Sequence, residues 1–186
     1  CNAATVHALT ALRARHEPAL PVIGTVPAIK PAAAGGGPLA IWATPATTGS
    51  PYQRDLIENF ADGVKVTEVP CWGLAEAVER ADEKAIDTAV AAAAALTPDD
   101  VTTVVLGCTH YELVAERIRA AVQGSGRPPL ALHGSAGAVA AQALRRLGAQ
   151  AAPGAPASGT LTVLLSGRAG EVLPGAALTY AEGRLL

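Results

Sequence analysis

Two cysteines in this 186-residue chain stand in matching surroundings: Cys1-Asn2-Ala3-Ala4-Thr5 opens a helical pattern, and Gly107-Cys108-Thr109-His110 lies between a strand pattern and a helical one. A thiol at a helix start meets free N–H groups and the positive end of the helix dipole. Both favour thiolate over thiol and are expected to move the ordinary pKa of about 8.5 downward. The same N–H groups suit a carboxylate ligand. Thr109 adds a hydroxyl, and His110 is a candidate acid–base partner for the Cys108 sulfur. Two such thiols facing one another across a cleft could invert a carbon centre: one thiolate removes a proton from one face and the other thiol returns one to the opposite face. No cofactor is needed if donors already in place stabilise the carbanion. A single Cys working with His110 could instead serve a thiol hydrolase. Cys71, within Val69-Pro70-Cys71-Trp72, reads as a structural residue.

These side chains must be held by a scaffold, and the pattern along the chain is that of an α/β protein with mostly parallel strands. Ala4–Arg15 has helical spacing and a basic last turn. Short strands are expected over 22–25 and 39–43. Ser50-Pro51-Tyr52-Gln53 carries a capping box and a proline at the first helical position, so a helix should run from there to about Asn59. A strand at 65–69 follows, then helices over 74–80 and 83–96, and a turn at 97–100. Val101–Leu106, β-branched and apolar, is the clearest core strand. Helix is expected again over 112–123, a loop over 124–129, a strand over 130–133 and a helix over 136–147. The stretch 150–159, rich in Ala, Pro, Gly and Ser, reads as a connector. A last strand over 161–166 precedes a loosely specified tail.

Half of the residues are hydrophobic, 16% are charged and only 3% are aromatic, so a core of Val, Leu, Ile and Ala is expected. The formal net charge of -2 offers no basic footprint for nucleic acid or for an anionic membrane. No apolar run approaches the ~20 residues of a membrane-spanning helix, and there is no secretory signal pattern. Three cysteines in a chain of this size point to reduced thiols and a cytoplasmic location. A first residue of Cys leaves three readings: a lipidated cysteine, an N-terminal nucleophile, or a preceding segment outside this chain. The helical pattern directly after Cys1 favours the third.

The motifs resemble those of the glutamate racemases within the aspartate/glutamate racemase group. Leu106-Gly107-Cys108-Thr109-His110-Tyr111 is similar to the family's second-cysteine motif, and Cys1-Asn2-Ala3-Ala4-Thr5 to its first. Residues 21–32 resemble its stretch between domains, Ile41–Thr47 with Tyr52-Gln53 its threonine-rich loop, and Val69–Glu79 the segment ending in a glutamate near the active site. The resemblance implies two pseudosymmetric α/β units, the first incomplete: residues 1–27 from an N-terminal domain, 28–134 a second domain, and 135–186 returning to the first. It implies racemisation of L-glutamate to D-glutamate for peptidoglycan, with no cofactor and no metal. Cys1 and Cys108 would act as base and acid, His110 would assist Cys108, and Glu79 would sit near it. Asn2, Ala3 (through its backbone), Thr44, Thr47 and Thr109 would contact the substrate. A homodimer is compatible with this family. An aspartate or hydantoin racemase, and a non-catalytic amino-acid-binding domain, are the alternatives.

The chain departs from the pattern in places. Ala3 stands where the family has Thr, Glu112 where it has Pro, and His133-Gly134-Ser135 where an Asp-Ser type of sequence is usual. Leu165-Ser166-Gly167-Arg168 replaces a Thr-Gly-Asp pattern. The family's N-terminal strand with its Asp-Ser pair has no counterpart, so the chain alone is expected to lack part of the active site.

Overall fold

A computed structural model of the chain describes residues 1–124, 129–156, 158–165 and 167–185. The expected loop over 124–129, the end of the strand over 161–166 and part of the connector over 150–159 lie partly outside the described residues.

The centre is a four-stranded, wholly parallel sheet. Its strands are β1 (Leu39–Ala43), β2 (Val66–Pro70), β3 (Thr103–Leu106) and β4 (Ala131–His133), in the spatial order β2-β1-β3-β4. Leu39 pairs with Val66 on one side and Thr103 on the other, and Thr103 pairs in turn with Ala131. Parallel strands need crossovers, and here helices supply them on both faces. α2 (Ile29–Ala33) and α3 (Pro51–Phe60) cover one face; α4 (Leu74–Arg80), α5 (Glu83–Ala95) and α6 (Ala115–Val122) cover the other.

Alternation along β1 divides the core. Leu39, Ile41 and Ala43 point with Val105 toward Ile29, Ala32, Leu56 and Ile57. Ala40 and Trp42 point with Val104 and Leu106 toward Leu74, Val78, Ile86 and Ile118. Each large side chain fully buried in this way contributes roughly 1.5–3 kcal/mol. The fully buried Trp42 keeps its polar atom satisfied: its Nε1–H donates to Thr97 Oγ1 at 3.0 Å, and that hydroxyl donates to Ala93 O at 3.0 Å.

The helix boundaries follow their local chemistry. Ser50 caps α3 by accepting the Gln53 N–H at 3.2 Å, and Asp82 caps α5 by accepting from Ala85 at 3.0 Å. α1 (Asn2–His16) starts two residues before the sequence pattern suggests, with Arg13, Arg15 and His16 in its last turn. α7 (Ala136–Leu147) ends on Gly148 in the left-handed region. A six-residue 3-10 turn, Thr109–Val114, precedes α6, so the helix expected over 112–123 is divided between two helix types.

The strand expected at 22–25 does not form. This segment bonds to side chains of α1 and of the residue capping it. Thr25 N–H donates to Thr5 Oγ1 at 2.9 Å, Val22 N–H to Glu17 Oε1 at 3.0 Å, and Arg13 Nε–H to Val22 O at 3.1 Å. Val22 and Ile23 are only half-buried there, and the backbone partners are not another strand. Beyond the connector, β5 (Val163–Leu165) and β6 (Arg168–Gly170) form a small antiparallel hairpin. The tail then returns to the main body, where the Tyr180 hydroxyl donates to Val78 O at 2.6 Å. Among the described residues no helix is long and apolar enough to cross a membrane.

Candidate active site

The strand order reverses direction at β1. From β1 the chain crosses by α3 to β2 on one side; from β3 it crosses by the 3-10 turn and α6 to β4 on the other. The segments leaving the carboxyl ends of β1 and β3 therefore diverge to opposite faces and leave a crevice between them, where open α/β sheets bind ligands. Thr44 and Thr47 leave β1 on one wall, their hydroxyls 3.1 Å apart. Gly107 and Cys108 leave β3 on the other.

Gly107 is needed at this exit. Its N–H donates to Trp42 O at 2.7 Å, and a Cβ at this position would lie 2.7 Å from that same oxygen. Cys108, extended at φ -129° and ψ 137°, caps the 3-10 turn, with its Sγ 3.6 Å from His110 Nδ1. The sulfur is half-buried. Burial pushes its pKa up, the His110 backbone N–H pulls it down and the Glu76 carboxylate pushes it up again, for a net rise. The expectation that a helix start would lower this thiol is thus corrected. A short 3-10 turn aligns few peptide dipoles, and desolvation outweighs them.

Below the site, Tyr111 is fully buried and its hydroxyl is held well above the ordinary range by burial. Cys71 is also buried; its thiol donates to Val69 O at 3.5 Å and burial pushes it up to about 12. An inert, structural thiol is what the sequence suggested there.

The first cysteine is brought to the second by its neighbour. Asn2, only 7% exposed, donates from Nδ2 to Gly107 O at 2.8 Å. This bond joins the start of α1 to the exit of β3, 105 residues away in sequence. Cys1 is exposed at the head of α1, and its carbonyl accepts from Thr5 Oγ1 at 3.2 Å. Cys1 and Thr109 line one cavity of about 370 Å³, together with Thr25, Glu112, Ser135 and Glu182.

Asn2 thus meets the strand exit next to Cys108, His110 meets the Cys108 sulfur, and Cys1 shares its cavity with Thr109 but not with Cys108, while the Thr44–Thr47 pair leaves the neighbouring strand β1. Ala3 is exposed in the first turn of α1. Glu79 stands exposed on the last turn of α4, one turn beyond Glu76, the carboxylate whose charge raises the Cys108 thiol. Sequence reasoning singled out neither Glu76 nor Thr25, and Ser135 appeared only in a departure from a motif. Glu112 was visible only as a departure from a motif. Among the described residues no three His, Cys, Asp or Glu side chains are grouped to hold a metal ion.

Comparison with known proteins places this arrangement. A family model described as Asp/Glu/Hydantoin racemase matches residues 1–143. A glutamate racemase of Roseiflexus sp. (strain RS-1) is 40% identical over 125 residues, 64% of this chain and 46% of that protein. One from Ectopseudomonas mendocina (strain ymp) is 36% identical over 153 residues, 80% of this chain and 56% of that one. The chain therefore spans about half the length of the curated relatives it matches. Among solved structures, Escherichia coli glutamate racemase in complex with L-glutamate and the activator UDP-MurNAc-ala superposes with a TM-score of 0.66 at 30% identity, over 82% of this chain and 58% of that one. Glutamate racemase isoform RacE1 of Bacillus anthracis gives a TM-score of 0.55 at 29% identity, over 80% of this chain and 57% of that one.

Proposed function

The chain belongs to the Asp/Glu/Hydantoin racemase family, and from that premise we propose that it serves the cofactor-independent interconversion of L- and D-glutamate by two thiols, Cys1 and Cys108. The observation that carries the reading is the Asn2–Gly107 bond, which ties the helix start bearing one thiol to the strand exit bearing the other.

In this reading glutamate lies between the two sulfurs. The thiolate of one removes the α-proton, and the thiol of the other delivers a proton to the opposite face. No electrons are gained or lost, and the enzyme is left with the two protonation states exchanged. Burial of Cys108 supports a resting thiol there, the form that donates; exposed Cys1 then starts as the base for one substrate hand. His110, at 3.6 Å, carries the proton to or from Cys108 when the direction reverses. Backbone N–H groups at the starts of α1 (Asn2, Ala3) and of the 3-10 turn (Thr109), with the Thr44–Thr47 hydroxyls, hold the carboxylates and stabilise the carbanion. Glu79 is the more remote carboxylate of the site.

Residues 1–27 and 135–186 form one domain and 28–134 the other in this reading; the ion pair of Arg146 with Glu17 at 2.6 Å supports the pairing of the two chain ends. The product supplies D-glutamate for peptidoglycan in the cytoplasm, and the enzyme works as a homodimer.

The test is solvent-deuterium exchange into the α-position of glutamate, with loss of optical rotation, in the purified chain and in Cys1→Ser and Cys108→Ser. Each single change should abolish inversion. Inversion that survives Cys1→Ser refutes the two-base reading, and hydrolysis of an acyl substrate that is lost in Cys108→Ser but not in Cys1→Ser points to a one-thiol hydrolase. Glutamate binding with no exchange in the parent chain identifies a binding module.

A further inference from the structure

Glu112, four residues after Cys108, does not face solvent as a lone carboxylate on a short turn would. Its Oε1 accepts from the Ser135 N–H at 2.7 Å, the Ser135 hydroxyl at 3.0 Å and the Ala136 N–H at 3.1 Å; Oε2 accepts from the Ala136 N–H at 3.2 Å. These donors are the N-cap and first residue of α7, a twelve-residue helix whose own N-cap side chain makes no capping bond. Two of the free N–H groups at the positive end of α7 are therefore satisfied by a carboxylate from another part of the chain.

The neighbouring residue has made room for it. A Cβ at Gly134 would lie 2.5 Å from both Cδ and Oε2 of Glu112, so a side chain at 134 and this placement of Glu112 exclude one another. Ser135, at 4% exposure, completes the clasp. Glu112, Ser135 and Ala136 also form a wall of the cavity that Cys1 and Thr109 line.

We propose that Glu112 is a positioning residue for the second thiol: its carboxylate ties the 3-10 turn carrying Cys108, Thr109 and His110 to the N-terminus of α7, and so fixes where that sulfur stands relative to the cleft. The same clasp fills the anion position at the head of α7 from within, leaving the substrate's carboxylates to the starts of α1 and of the 3-10 turn. The catalytic part of this inference rests on the two-thiol reading above; the positioning part does not.

A helix cap and a tether are separable here. Glu112→Ala removes both. Glu112→Ala combined with Gly134→Asp returns a carboxylate to the head of α7 from its own flank, without reconnecting the Cys108 turn. Glu112→Gln keeps an acceptor and serves if the alanine variant fails to fold. Three readouts are taken on the full chain: the urea midpoint, the pH profile of Cys108 alkylation read by peptide mass spectrometry, and kcat and KM for glutamate.

The expected result is a Cys108 profile displaced by about half a pH unit or more in Glu112→Ala, and in the same direction in Glu112→Gln. A fall of about tenfold or more in kcat should accompany it, with KM moved far less. In the double variant the urea midpoint should return toward that of the parent while the Cys108 profile and kcat stay displaced. A Cys108 profile unchanged by the loss of Glu112, or one that returns together with the urea midpoint in the double variant, overturns the proposal and leaves Glu112 as a helix cap only. If the parent chain shows no racemisation, the alkylation profile alone decides, so failure of the functional reading does not mask failure of this one.

Discussion

Asn2 is the natural place to perturb the site, because one hydrogen bond from it joins the two thiol-bearing segments. Asn2→Ala removes the Nδ2 donor and leaves the carbonyl of the buried Gly107 without it. Orphaning a buried carbonyl costs about 1–3 kcal/mol. Part of this is offset, since Asn2 Oδ1 is itself buried without a partner and disappears with the substitution, a gain of about 1 kcal/mol. The net loss is therefore about 0–2 kcal/mol, or up to roughly 8 °C in Tm for a chain of this size.

Asn2→Asp is isosteric but sets a carboxylate against a carbonyl, so it should cost more than the alanine at neutral pH, about 3 kcal/mol or above. Protonated, the same side chain donates again. Its folded pKa is thereby raised above the ordinary value of about 3.9, so the stability it contributes is complete below that value and is lost as pH rises through the folded pKa. Urea unfolding of parent and both variants at acidic and neutral pH measures this. Asn2→Asp should approach the parent at low pH and fall below Asn2→Ala at neutral pH. Parent-like stability for Asn2→Ala, together with a pH response of Asn2→Asp no different from the parent's, refutes the idea that this bond holds the two segments together. In turnover the effect should exceed the stability loss, because a displacement of about 1 Å between reacting groups costs on the order of a hundredfold.

Two further outcomes follow from the thiols. Alkylation should be ordered by exposure and ionisation: exposed Cys1 first, Cys108 later with a profile displaced to alkaline pH by burial, and Cys71 only on unfolding, as peptide mapping over time will show. Alkaline stability should also carry the mark of Cys71. With an ordinary value near 9 raised to about 12 in the folded chain, its contribution is complete below about pH 9. It is then lost at up to ~1.4 kcal/mol per pH unit as pH rises toward 12, a slope that Cys71→Ala should reduce.

The sheet was legible because its strands carry their own signals. Val101–Leu106 and Leu39–Ala43 are short apolar runs between turn residues, and Ser50, Pro51 and Gln53 mark the start of α3 through backbone chemistry that acts within four residues. The stretch 22–25 shows the limit of that logic. Its apolar pattern suggests a buried strand, but Val22 and Ile23 are only half-buried, and whether an extended segment pairs with a strand depends on what lies beside it in space. Likewise the Cys108 motif pointed to a sulfur at the exit of a strand, but a 3-10 turn rather than an α-helix follows it, and its ionisation depends on how deeply the folded chain covers it, which no local pattern encodes. The Glu112–Ser135 clasp spans 23 residues of sequence and combines a glutamate, a glycine and a serine, none informative alone. Asn2 was named as a substrate contact by resemblance; that its amide reaches Gly107 across 105 residues is a fact of tertiary structure.

The chain's two tryptophans occupy opposite environments: Trp42, within β1, is fully buried, while Trp72, beside Cys71 at the end of β2, is 72% exposed. Each indole is therefore an optical reporter with its own meaning. A collisional quencher in solution silences Trp72 first and leaves a blue-shifted emission from Trp42, so one cuvette separates events at the rim of the sheet from loss of the interior without any added dye.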